Sequence, residues 1–232
     1  MYLKKDYFKK KNFLERKDYN EVIKLILKNL GLKKKNIKII SNKIIENYKK
    51  DNSSVGTLQD SIKKSKILKS ISKNKKYQKK LSNILSNKNK SLLVDFNFRI
   101  DLPKSFKKEE KKMSLPWHQD FSYYRKKTDL INYDGYVIYI PLFKIGHREG
   151  SIVIDNKQVF NLQKHKTKYL DIKNKKFMRH NLENYKPKKE VYVNLNQRDA
   201  LLMNFFCIHR SGKNISNNVR FTLLLRYKFK KN

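Results

Sequence analysis

A single cysteine, Cys207, stands in a chain of 232 residues. That excludes a disulfide framework and a multi-cysteine zinc site. Four prolines and six glycines are too few for a collagen-like, elastic or linker-dominated chain. No apolar run approaches the roughly 18 residues of a membrane-spanning helix. The opening stretch MYLKKDYFKKKNFL carries charge but no apolar segment, so no secretory signal is expected there. These absences lead to the expectation of a soluble protein of a reducing cytoplasm.

Acid is scarce as well. Asp and Glu number 20 against 57 Lys and Arg, giving a formal charge of +37. Only 9 of those bases are Arg, and bidentate Arg is the usual reader of base edges in nucleic acids. The chain also holds 25 Asn. Lys and Asn in excess match the AAA and AAT codons of an A- and T-rich coding sequence. The charge therefore reads first as composition and second as a nucleic-acid footprint. Hydrophobic residues at 38% and aromatics at 12% suffice for a packed core.

The pattern changes near Ser91. Residues 1–90 read as helical, a Lys-rich region packing on a core formed by residues 91–232. Asn20 caps a helix through EVIKLILKNL that stops at Gly31; a second runs near Ile39–Tyr48. Thr57 with Asp60 resembles a capping box for a third through about Ile71, and a fourth spans Tyr77–Leu85. Residues 91–232 instead show short runs rich in β-branched and aromatic residues. These are Leu92–Ile100, Leu115–Tyr124, Tyr136–Phe143, Ser151–Ile154, Tyr169–Ile172, Val191–Leu195, Ala200–Ile208 and Val219–Tyr227. Such short strands with polar connections predict a sandwich or barrel in a mainly β chain with N-terminal helices. Val94, Phe96, Phe98 and Ile100 alternate with Asp95, Asn97, Arg99 and Asp101. Phe221, Leu223 and Leu225 alternate with Arg220, Thr222, Leu224 and Arg226. Period 2 places each set on its own face.

The chemistry centres on Leu115–Tyr124, LPWHQDFSYY. His118 and Asp120 are two apart, so on the predicted strand they share a face. An imidazole beside a carboxylate makes two-thirds of a 2-His-1-carboxylate facial triad, the ligand set of non-heme Fe(II) oxygenases. The third candidate is His209, at the end of an apolar strand, with Ser211 two residues on and Arg220 eleven residues on. A planar guanidinium suits a carboxylate. Cys207, inside that strand, reads as packing. His147, His165 and His180 lie in polar surroundings and read as surface residues. Phosphate-cradling, dinucleotide-binding, nucleophile-elbow and H-E-x-x-H signatures are absent.

WHQD at 117–120, YIPL at 139–142 and the HRSGKN…VR segment resemble the phytanoyl-CoA dioxygenase family of Fe(II)/2-oxoglutarate-dependent oxygenases. The resemblance covers about residues 91–232 and implies a double-stranded β-helix (jelly-roll) core. It implies His118, Asp120 and His209 as iron ligands, with Arg220 and Ser211 on 2-oxoglutarate. It also implies a reaction that uses O2, releases succinate and CO2, and hydroxylates a small metabolite or carrier-linked substrate. Retention of Asp120 speaks against the halogenating relatives. Substrate contacts are expected from Arg99, Trp117, Tyr123 and Tyr124, and the field of Arg99 and Arg125 favours an anionic substrate. The Pro-Gly-Ser-His phrase common in the family is missing after Gly150-Ser151, and residues 155–190 match nothing in it. Three rivals stand beside this reading: an oxygenase acting on nucleic acid, suggested by the Arg220/Arg226 pair; a non-redox metal barrel; and a non-enzymatic nucleic-acid-binding protein.

Overall fold

The computed structural model describes residues 6–85, 91–106, 114–124, 133–157, 159–172 and 175–230. A strand opens the chain, β1 (Tyr7–Lys10), followed by helices α1 (Arg16–Leu30), α2 (Ile37–Lys50), α3 (Ser54–Lys64), α4 (Lys66–Lys73) and α5 (Lys75–Ile84). Then come β2 (Ser91–Asp101), a 3-10 turn (Asp120–Tyr123), β3 (Tyr133–Pro141), β4 (Ile152–Asp155), β5 (His165–Ile172) and β6 (Lys175–Leu182). The chain closes with β7 (Glu190–Tyr192), β8 (Ala200–Asn204), β9 (His209–Ser211) and β10 (Arg220–Lys230).

The helices form as their apolar spacing requires, but their boundaries differ from expectation. α1 begins at Arg16 rather than after Asn20, because Tyr19 is buried and its hydroxyl donates to Leu142 O across the core. It stops at Gly31, whose φ of 65° is the left-handed conformation that glycine tolerates best. Asn36 caps α2 by accepting from the Lys38 and Ile39 amides. The single helix expected from Thr57 to Ile71 is two. Thr57 hydrogen-bonds the Ser53 carbonyl, and Ser65 breaks the run and caps α4 through the Leu68 amide.

Five strands form one antiparallel sheet in the order β1-β8-β3-β10-β2. The helices cover one of its faces, in a core that joins Val22, Ile26, Ile40, Ile62 and Leu81 to Phe98, Ile100, Ile138, Leu202, Phe221, Leu223 and Leu225. Side chains also tie the layers: the Ile100 amide donates to Gln59 Oε1, the Val219 amide to Ser41 Oγ, and the Tyr227 hydroxyl to Ser72 O. The other face meets the three-stranded sheet β7-β4-β9. Between them lies a second core that includes Val137, Tyr139, Ile152, Ile154, Leu201, Met203 and Leu224. This is the double-stranded β-helix arrangement. β5 and β6 pair as a separate hairpin.

β10 alternates as its sequence requires. Its odd-numbered residues from Phe221 to Phe229 join the helix-facing core, and Arg220, Thr222, Leu224 and Arg226 face the gap between the sheets. β2 does the same except at Val94, which packs on the inter-sheet side. A register shift between Arg226 and Tyr227 pairs Asp95 with Arg226 and Leu93 with Tyr227, leaving Val94 as the extra residue of a bulge.

Two expectations are corrected outright. Residues 1–90 are not wholly helical, because β1 extends the large sheet along β8. Leu115–Tyr124 is not a strand: His118 makes an isolated bridge to His209, and Asp120 opens the 3-10 turn.

Candidate functional site

His118 and His209 sit opposite one another in an antiparallel bridge, with His118 N donating to His209 O at 2.9 Å and His209 N to His118 O at 3.0 Å. Their ring centroids are 4.3 Å apart. Each Nδ1 lies against the carbonyl two residues before it, Pro116 O at 2.8 Å for His118 and Cys207 O at 3.0 Å for His209. A carbonyl only accepts, so both Nδ1 atoms carry the proton. Nε2 is then the ring nitrogen that each histidine keeps for a metal. Burial, followed by the neighbouring His209 ring, pushes the His118 pKa down to about 3, so this imidazole stays neutral.

Asp120 completes the cluster, its Oδ2 at 3.6 Å from His209 Nε2. One potential ligand atom from each of His118, Asp120 and His209 lies within 4.8 Å of the others, and all three residues are buried. The 3-10 turn that begins at Asp120 brings its carboxylate to the two rings. Arg226 then holds it, with Nη2 donating to Asp120 Oδ1 at 3.3 Å and Nη1 to Asp95 Oδ1 at 3.0 Å. The Tyr124 hydroxyl donates to the other oxygen of Asp95. Burial raises the Asp120 carboxyl, but the Arg226 guanidinium outweighs it through its charge and its hydrogen bond and holds it below the usual carboxylate range. Arg226 in turn stays charged despite its burial, because Asp120, Tyr124 and Asp95 surround it.

Arg220 lies further along the same face of β10. Its Nε and Nη2 donate to Asp101 Oδ2 at 3.1 and 2.9 Å. Its Nη1 is buried with no partner among the described residues, a donor still available to an anion. Arg99 Nη2 holds the second oxygen of Asp101 at 2.8 Å. Burial raises the Asp101 carboxyl, but Arg99 and Arg220 more than offset this and hold it low. Arg99, Asp101, His118, Asp120, His209, Ser211, Arg220 and Arg226 all line one cavity, with Tyr139, Thr222 and Met203 among its walls.

A family comparison decides what this arrangement belongs to: the model of the phytanoyl-CoA dioxygenase (PhyH) family matches residues 21–222. The chain belongs to the phytanoyl-CoA dioxygenase family. A comparison with curated protein sequences returns no match. Among solved structures, the nogalamycin-biosynthesis epimerase SnoN in complex with Fe3+, alpha ketoglutarate and nogalamycin RO is similar at a TM-score of 0.59 and 12% identity. The match covers 96% of this chain and 78% of SnoN. EvdO2 from Micromonospora carbonacea var. aurantiaca, complexed with 2-oxoglutarate, matches at a TM-score of 0.51 and 15% identity, over 73% of this chain and 62% of that one. The non-heme monooxygenase ThoJ matches at 0.51 and 12%, over 91% of this chain and 70% of that one. Likeness at these identities is likeness of fold. The chain spans about 62–63% of the length of EvdO2.

The structure gathers most of the residues singled out from the sequence, and sets some apart. Ser211 lines the cavity, while its Oγ accepts from the Leu115 amide at 3.0 Å and so also fixes the entry to the WHQD stretch. Trp117, Tyr123 and Tyr124 are not among the cavity's described lining residues. Trp117 packs on Tyr185, with the Arg210 guanidinium 5.1 Å from its ring centre. Tyr123 meets the His118 ring edge-on at 5.8 Å. Tyr124 stacks on Phe205, and its hydroxyl donates to Asp95, the acid that Arg226 also holds. Arg125 lies outside the described residues.

His147 is exposed as expected, but His180 is 1% exposed and His165 half-buried, so two histidines read as surface belong to the interior of the hairpin's base. Cys207 is buried, which raises its thiol pKa well above the usual range and makes it unreactive packing. Asp101 is not among the expected site residues, yet the sequence holds a signal for it. Asp95 and Asp101 are six apart, as are Arg220 and Arg226. Antiparallel pairing of β2 with β10 matches both pairs at once, Arg220 with Asp101 and Arg226 with Asp95.

Proposed function

We propose that the protein is an Fe(II)/2-oxoglutarate-dependent dioxygenase that hydroxylates a small-molecule or carrier-linked substrate, releasing succinate and CO2. The observation that carries this reading is the convergence of two imidazole Nε2 atoms and one carboxylate in a buried cluster. That donor set, neutral imidazoles with one anionic oxygen, suits non-heme Fe(II) and leaves coordination positions open. In this reading His118, Asp120 and His209 hold the metal. When bound, iron and 2-oxoglutarate supply the O2-dependent oxidising chemistry.

The chain's own residues do the positioning. The His118–His209 bridge fixes both rings through the backbone. Arg226 orients Asp120 and keeps it ionised. The buried Nη1 of Arg220, unpartnered among the described residues, takes the far carboxylate of 2-oxoglutarate, with Ser211 beside it. The two apolar cores on either side of the sheet keep water from the site. Residues 1–90 serve as a support for the oxygenase core at 91–232.

The test is a mass balance. Purified protein with Fe(II), 2-oxoglutarate and O2 is expected to form succinate and CO2 in equal amounts, slowly without substrate. Asp120→Ala should abolish both products. Turnover that persists in Asp120→Ala, or that needs no iron, contradicts the reading. SnoN, described as an epimerase, shares the fold, so product analysis with a substrate must show added oxygen to support hydroxylation.

A further inference from the structure

Gln119 stands between two of the three ligand candidates and points away from them. Its backbone is extended, at φ −117° and ψ 134°, so its side chain leaves on the face opposite to those of its neighbours. The residue is fully buried. Its Nε2 donates to Phe206 O at 2.8 Å and to Asn161 O at 2.9 Å, and its Oε1 accepts from the Gln163 amide at 2.7 Å. Both amide hydrogens and the amide oxygen are therefore engaged. The main chain is engaged too. Its N–H donates to His165 Nε2 at 3.1 Å, and its carbonyl accepts from the Ser122 amide at 3.1 Å and the Ser122 hydroxyl at 2.7 Å. His165 is oriented to accept, because its Nδ1 lies 2.7 Å from Gln163 O.

These partners belong to three segments that meet at the site. Phe206 is followed by Cys207, whose carbonyl takes the His209 Nδ1 proton. Ser122 lies in the 3-10 turn that Asp120 opens. Asn161, Gln163 and His165 lead into the hairpin β5–β6. That hairpin packs behind His118. The Leu182 amide donates to Trp117 O at 2.9 Å, the His180 ring meets Tyr123 edge-on at 4.6 Å, and Tyr123 meets the His118 ring edge-on at 5.8 Å. The bridge to His209 fixes His118 through the backbone, but Asp120 lies outside the bridge, on the far side of Gln119. Arg226 holds the carboxylate end of Asp120; Gln119 holds the chain from which it springs. Two carbonyl oxygens and one N–H call for two donors and one acceptor on a single side chain, and a carboxamide offers them without a charge.

We propose that Gln119 is a positioning residue for the metal centre, registering His118 and Asp120 against the segment that ends in His209 and coupling the hairpin to all three. This rests on the Fe(II)/2-oxoglutarate reading in requiring a metal at the triad. The hairpin matches nothing in the family pattern, so through Gln119 a segment particular to this chain bears on the ligand geometry. The coupling is reciprocal: metal binding that fixes Asp120 also steadies residues 161–165.

Two measurements with Mn(II) test this. Gln119→Glu and Gln119→Met keep the length of the side chain. The first sets an acceptor against two carbonyl oxygens, and the second removes all three hydrogen bonds. Both variants are expected to bind Mn(II) about 10- to 100-fold more weakly, the range for groups that support metal ligands from outside, and to change the electron paramagnetic resonance spectrum of the bound ion. Thermal unfolding records any loss of stability separately. A folded variant with a lower melting temperature but wild-type affinity and spectrum makes Gln119 a packing residue and overturns the proposal. The second measurement uses the wild type alone and decides the matter where neither variant folds. Mn(II) loading is expected to slow deuterium uptake at 161–165 as well as at 205–209. Uptake at 161–165 that metal leaves unchanged overturns the proposal alone, whereas a wild type that binds no Mn(II) contradicts the metal centre itself and the proposal with it.

Discussion

His118 and His209 exchange both of their backbone hydrogen bonds, so the bridge that joins the WHQD stretch to β9 is also the bridge that sets two imidazoles side by side. The backbone holds the pair whatever the side chains do. Replacing either His by Ala should therefore leave the fold intact while removing metal affinity. Mn(II) binding read by electron paramagnetic resonance, with circular dichroism as the control for folding, checks this. A His209→Ala protein that binds Mn(II) as the wild type does would rule out its role as a ligand.

Arg220 serves two acids in this account, Asp101 in the structure and the cosubstrate in function. Arg220→Gln is expected to weaken 2-oxoglutarate binding about 10- to 100-fold, since a charged hydrogen bond is lost. It should also cost about 3 kcal/mol of stability, the low end for breaking a buried pair, because Arg99 remains on Asp101. Calorimetric titration and denaturant unfolding measure the two effects separately.

The Asp101 carboxyl gives a pH signature. Its folded pKa is lowered, so its stabilising contribution is complete above the unfolded value of about 3.9. The contribution is lost as pH falls below that towards the folded value. The stability gap between wild type and Asp101→Asn is expected to be widest near neutrality and to close at lower pH. A gap that stays constant down to pH 3 would contradict the assignment.

Two glycines make opposite predictions. A Cβ on Gly212 would lie 2.2 Å from Ser151 O, where the HRSGKN turn lies against the Gly150-Ser151 turn beside the cavity. Gly212→Ala should cost about 1–3 kcal/mol and weaken 2-oxoglutarate binding through its neighbour Ser211. Gly56, inside α3, has nothing within 4 Å of an added Cβ. Gly56→Ala should stabilise by about 0.5–1 kcal/mol. Thermal unfolding of the two variants compares them directly.

What could be read from the chain divides by range of interaction. The alternation in β10 and in β2 from Asp95 onward, the stop at Gly31 and the nearness of His118 to Asp120 are local patterns, and the structure keeps each of them. β1 has no local signature, because Tyr7–Lys10 is a strand only through β8, nearly two hundred residues away. Asp120 reaches the histidines through a tight turn rather than along a strand, which the two-residue spacing alone does not distinguish. Val94 changes face because of one bulge, whose cause is the register of a distant strand. Trp117 neighbours a ligand in sequence, but the turn points it at Tyr185 and Arg210 rather than into the cavity. His180 lies among lysines in sequence and is buried against the Tyr123 ring of the 3-10 turn, a contact far along the chain that no local pattern carries.

The most direct measurement is an anaerobic titration of the apoprotein with Fe(II) and 2-oxoglutarate, watched for the visible metal-to-ligand charge-transfer band. The account predicts the band in the wild type and its loss in His209→Ala. A wild-type protein that binds neither iron nor 2-oxoglutarate, or a band unchanged in His209→Ala, would contradict it.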